Sequence, residues 1–184
     1  MNFLSRIFGK RAEPDGATHR HGDMVSLVAL MPSWEEHSLE YVRGELDALF
    51  PGEFLPPREV GNFVLDGPVV SASYMVQCTL KGYSGMYLVH NVPGPYSEFS
   101  DFLAHVEDPE LAEAAARLPC WMSVDLLHAH AGEADASRFV STVLAQLAPG
   151  DAELLVHPGR SLVTRFTPQV RRVLAAGGEA FGNA

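Results

Sequence analysis

Three of the chain's eight histidines close short apolar runs: Leu88-Val89-His90, Leu126-Leu127-His128 and Leu155-Val156-His157. Proline or glycine follows soon after each. A neutral imidazole is a good metal ligand, and near neutral pH it can also carry a proton. If the three runs are strands, their ends set three imidazoles along one rim of one sheet, where many α/β proteins hold ligands. Asp125 and Ser123 share a segment with His128, which supplies the residue types of a nucleophilic triad. The spacing around these residues is poor for catalysis. Ser123, Asp125 and His128 sit on one strand, no Gly-x-Ser-x-Gly elbow is present, and no His-Glu-x-x-His pattern occurs. Alternation also separates the rim. His128 falls with Met122, Val124 and Leu126 on a core face, whereas His157 falls with Glu153 on a solvent face. The expectation is therefore histidines that donate to loop carbonyls, with no catalytic set, no metal site and no cofactor.

The elements that must position these residues are legible from periodicity. Met24–Met31 is an apolar run of strand length ended by Pro32. Ser33-Trp34-Glu35-Glu36 reads as a capping box for a helix carrying Leu39, Val42, Leu46 and Leu49 on one stripe. Asn62–Leu65 is a short strand. Val69–Leu80 and Met86–Val92 form a hairpin of long strands. A helix carrying Phe99, Phe102, Leu103 and Val106 follows Pro95. Asp108-Pro109 starts another, with Asp as cap and Pro at the first position. Trp121–His128 is a strand, Asp135 caps a helix through Leu147, Glu153–Val156 is a strand, and Ser161–Phe166 is extended. Thr167-Pro168 begins a last short helix ended by Gly177-Gly178.

The order β-α-(β)-β-β-α-β-α-β-(β)-α begins with the six elements of the ferredoxin-like split βαβ pattern. The expected fold is α+β: a ferredoxin-like sandwich extended by one α-β unit, with a mixed sheet and helices largely on one face. Residues 1–23 are set apart, 24–176 form a single domain, and 177–184 are a loose tail.

Charge narrows the partners. The chain carries −10 overall, with a pI near 5.1, which disfavours nonspecific nucleic-acid binding and suits a basic protein partner. Cys78 and Cys120 sit in apolar surroundings without a Cys-x-x-Cys pair and read as buried reduced thiols. No run approaches the roughly 20 apolar residues of a membrane span. No signal peptide is evident, so a cytoplasmic location is expected. In the first eleven residues, Phe3, Leu4, Ile7 and Phe8 share one helical face, with Arg6, Lys10 and Arg11 off it. Such a segment can dock on a partner or lie on a membrane surface. Residues 12–23 read as a flexible linker.

The stretch Met86–Tyr96, ending Val92-Pro93-Gly94-Pro95-Tyr96, precedes Trp121-Met122-Ser123-Val124-Asp125. Over about residues 70–175 this pattern resembles uncharacterised bacterial domain-of-unknown-function proteins, in which a Pro-Tyr segment precedes a Trp-x-Ser-Val-Asp strand. Cys120 stands where that pattern usually has Ala, and Pro158-Gly159 where it often has Pro-Glu. The resemblance implies a bacterial, cytoplasmic α+β domain and no activity.

Trp121 shares its side of the strand with Ser123 and Asp125. An exposed Trp there marks a partner surface. The candidate rim or partner surface is therefore His90, Tyr96, Trp121, Asp125, His128 and His157. The favoured expectation is a non-enzymatic interaction or accessory domain, an acidic immunity or adaptor protein being one version. The alternatives are a hydrolase or metal-dependent enzyme using the strand-end histidines, and a membrane-surface protein held by residues 1–11. Oligomeric state is not legible.

Overall fold

A computed structural model describes residues 25–51, 58–59, 63–64, 70–80, 83–96, 105–129, 133–178 and 180. The readings placed on Phe3, Leu4, Ile7 and Phe8, on the 12–23 linker, on the helix around Phe99 and Phe102, and on residues 181–184 lie outside these. The elements are β1 (Ser26–Met31), α1 (Leu39–Leu49), β2 (Arg58–Glu59), β3 (Phe63–Val64), β4 (Val70–Leu80), β5 (Tyr83–Pro93) and α2 (Pro109–Arg117). Then follow β6 (Cys120–Ala129), α3 (Glu133–Leu147), β7 (Leu154–His157), a 3-10 turn (Pro158–Arg160), β8 (Leu162–Arg165) and α4 (Pro168–Ala175).

Local chemistry explains most boundaries. The Asp108 side chain accepts from the Glu110 and Leu111 amides, with Pro109 at the first position of α2. The Thr167 hydroxyl accepts from the Val170 amide and starts α4. Gly177 ends that helix region at φ 72°, a conformation that favours glycine. Two expected boundaries move. The cap of α1 is Ser38, whose hydroxyl accepts from the Tyr41 amide at 3.1 Å. Ser33 instead donates to Asp151 at 2.5 Å, so the apparent capping box is a loop tied to the turn before β7. Helix α3 begins at Glu133, which places Asp135 inside it rather than at its cap.

The strand order is β2-β4-β5-β6-β1-β7-β8, with β3 also on β4. Every pairing is antiparallel. The sheet is therefore α+β in class but not mixed. Its order also departs from the ferredoxin-like one, in which the third major strand lies beside the first. Here the fourth, β6, lies between the third, β5, and β1. The cause is the connection after β5. Pro93 faces Cys120, so the chain leaves and re-enters at the same end of the sheet, and α2 does not carry it across. The crossover that does run the length of the sheet is β6-α3-β7. Both of these strands are antiparallel to β1, which sits between them.

Strand β1 is buried at every position, because both faces of the sheet are covered there. On one face Leu27, Ala29 and Met31 meet Met122, Val124 and Leu155, under Val42 and Leu46 of α1, Phe139, Val140, Val143 and Leu144 of α3, and Leu174 of α4. On the other, Val28, Leu30, Leu154 and Val156 pack beneath Ala114, Ala115 and Leu118, in and just after α2. Each fully buried Leu, Val or Phe contributes about 1.5–3 kcal/mol. The described helices thus divide three against one.

Candidate functional site

Register, not sequence proximity, assembles the polar cluster. In β6, Asp125 lies opposite Ser26 of β1, and Ser123 lies opposite His90 of β5. Paired residues in an antiparallel ladder share a face, so these four side chains meet on the α2 side of the sheet. Ser26 Oγ donates to Asp125 Oδ1. Ser123 Oγ donates to Oδ2 at 2.6 Å, and His90 Nε2 lies 3.5 Å from the same oxygen. Beyond His90, the Trp121 ring stands 6.0 Å away, and Tyr96 meets Trp121 edge-on at 5.0 Å. Four of the six candidate residues, His90, Tyr96, Trp121 and Asp125, thus come together. Trp121 is half-buried against the α2-side core rather than displayed.

The order of these groups decides their chemistry. A nucleophilic triad needs the imidazole between the hydroxyl and the carboxylate. Here the carboxylate is central and receives both serine protons, so neither hydroxyl is activated. Burial pushes the His90 pKa below its usual value, and the Asp125 carboxylate opposes this with a smaller effect. Burial thus favours the neutral form of the folded imidazole. Burial also pushes the Cys120 thiol up, which removes a thiolate from consideration.

A pH dependence follows. An unfolded histidine takes up its proton near 6.5, whereas buried His90 resists it. Stability is fully present above about pH 6.5 and falls as pH drops below it, with a slope limited to about 1.4 kcal/mol per pH unit. Urea unfolding of wild type and His90→Gln between pH 7.5 and 5.5 checks this: the variant should lose the extra slope. Parallel profiles would remove His90 as the source.

The rim does not form. Strand β5 runs opposite to β6, and His90 lies within β5 rather than at its end. The backbone of His128 pairs with Met86, and its side chain lies outside the described residues. His157 closes β7 but is half-buried in a cleft with Leu27 and Leu174, not on a solvent face. Among the described residues, no group of three or more His, Cys, Asp or Glu is placed to hold a metal ion.

A second feature was legible only in part. The loop from β1 into α1 displays Trp34, 36% exposed, and the first turn of α1 displays Tyr41, 42% exposed. Around them in sequence stand Glu35, Glu36, Glu40, Glu45 and Asp47, against one cation, Arg43, which pairs with Asp47 at 3.7 Å. Partial burial, and then the carboxylates of Glu45 and Glu35, push the Tyr41 hydroxyl pKa up. The loop is fixed from the α1 side of the sheet. Buried Asn91 of β5 donates through Nδ2 to the Glu35 carbonyl at 2.7 Å, and the same nitrogen lies 2.9 Å from His37 Nδ1. His37 Nδ1 also lies 3.1 Å from the Glu35 carbonyl, so the amide, the ring and the loop backbone form one cluster. The His37 ring in turn packs 4.7 Å from Tyr41. Ser26, His37 and Asn91 carried no sequence signal of these roles, because each depends on strand pairing.

No family model matches the chain, and searches of curated proteins and of solved structures return no significant match. Among the described residues no helix is long and apolar enough to cross a membrane.

Proposed function

We propose that this domain is a non-enzymatic protein-interaction module that binds a basic segment of a partner through the β1–α1 loop and the start of α1. The observation that carries the reading is the exposure of Trp34 and Tyr41 among five carboxylates on one loop-and-helix segment. Aromatic side chains supply contact area at low entropic cost, and surrounding charges steer an oppositely charged partner. The Asn91–Glu35 hydrogen bond holds this loop against the sheet, so less order is lost on binding. An adaptor or immunity role that neutralises a basic partner belongs to the same reading, supported by the net charge of −10. The Asp125-centred cluster favours a structural role over hydrolysis, since both serine protons point to the carboxylate.

An arginine-rich peptide titrated into the full chain tests this by amide NMR. Shifts should concentrate between residues 34 and 47 and weaken as salt rises. Trp34→Ala should reduce affinity at least about tenfold, the lower range for an aromatic anchor, and Glu36→Lys with Glu40→Lys should abolish binding. Equal binding of an acidic peptide, or shifts centred elsewhere, would overturn the reading.

A further inference from the structure

We propose that the chain's own basic segment, residues 3–11, docks on the surface carrying Trp34 and Tyr41, so that a partner's basic segment has to displace it. The inference rests on the reading that this surface takes a basic segment, and it names a competitor within the same chain.

Charge is complementary. Glu35, Glu36 and Glu40 are exposed, and among the described residues no cation pairs with them. The other two carboxylates nearby are engaged: Asp47 pairs with Arg43, and Glu45 accepts from Gln146. The open carboxylates match in number the cations of the segment, Arg6, Lys10 and Arg11. Apolar character is complementary too. Phe3, Leu4, Ile7 and Phe8 recur at helical spacing. Trp34 and Tyr41, at 36% and 42%, are the large hydrophobic side chains left exposed among the described residues. A cation beside either ring is attracted to its face as well. The length of chain suffices. Residues 12–24 reach at most about 45 Å when extended, and Trp34 lies no more than about 30 Å from Val25 at the roughly 3.3 Å rise of a strand. Tethering over that length gives an effective concentration of about 1 mM, so a self-contact with a Kd of about 0.5 mM weakens a competing partner about threefold.

The full chain is followed by amide NMR. Leu4→Ser with Phe8→Ser removes apolar contacts and leaves the net charge unchanged. This double variant should move signals between residues 34 and 47, and raising salt should move the wild-type signals in the same direction. Arg6→Gln with Arg11→Gln should repeat the change. The arginine-rich peptide should bind the serine variant about threefold more tightly than wild type. Dilution should leave the wild-type signals in place, because the contact lies within one chain. Signals that move on dilution put the segment on a second copy and overturn the proposal, as do shifts centred away from residues 34–47. Equal peptide affinity for variant and wild type also overturns it, while the basic-segment reading stands. If the peptide binds neither and the variants still move the 34–47 signals, the self-contact stands and the partner reading falls.

Discussion

Replacing Asp125 with alanine lowers the unfolding free energy by about 3 kcal/mol, the range expected when buried polar groups lose a charged partner. The carboxylate accepts from Ser26 and Ser123 and faces His90. Ser26, Ser123 and His90 are all buried. Alanine leaves both hydroxyls with no acceptor at that point, removes the carboxylate that faces His90 and opens a small void between β1, β6 and β5. Asparagine should cost less, because its carbonyl keeps one serine bond and the other hydroxyl can rotate to accept from the new amide. Urea unfolding reads the result as a lower midpoint at unchanged slope. A loss below 1 kcal/mol for Asp125→Ala would mean that the cluster is not a stabilising unit.

Arginine 171 carries the second large effect. Helix α3 has no basic residue in its last turn, and the last carbonyls of any helix lack partners within it. Arg171 of α4 supplies them. Its Nη1 donates to the Ala145 and Ala148 carbonyls at 2.9 and 2.7 Å, and Nη2 donates to the Pro149 carbonyl at 2.5 Å. The guanidinium also stands 4.6 Å over the Phe166 ring. Burial lowers its pKa, yet an arginine stays charged, so these are charge-assisted bonds in a partly dry setting. Arg171→Ala should cost about 3 kcal/mol and lower Tm by roughly 6–12 °C for a chain of this size. Arg171→Lys should recover only part, since an ammonium cannot span the same three carbonyls with a planar fork. Equal melting of the lysine variant and wild type would show that charge alone, rather than the fork, holds the helix end.

What the sequence revealed here was local. Alternation in Met122, Val124 and Leu126 against Trp121, Ser123 and Asp125 identified β6 and its two faces. Asp108-Pro109 and Thr167-Pro168 identified two helix starts, because a cap acts within three residues. Pairing is not local. Nothing near Pro93 announces that the chain returns to Cys120 at the same end of the sheet, so the sequence groups the ends of β5 and β6 on one rim. The same gap hid the polar cluster. Asp125 was matched with His128, three residues away, whereas the ladder brings it to His90, thirty-five residues earlier. The Ser33 box failed for a different reason. Two serines five residues apart both precede the helix, and only the bond from Ser33 to Asp151 separates their roles. Trp34 stands in the sequence only as part of the Ser33 box, because its exposure depends on which surface the helices leave uncovered.

The central place of β1 has a consequence for how the protein is made. Leu30 pairs with Trp121 on one side and Leu154 on the other, residues that lie 91 and 124 positions later in the chain. At a translation rate of about 5–20 residues per second, this apolar strand leaves the ribosome roughly 6–25 s before its second neighbour exists. One edge stays open until β6 emerges and the other through the whole interval, which makes the nascent chain a client for chaperones that hold unpaired apolar strands.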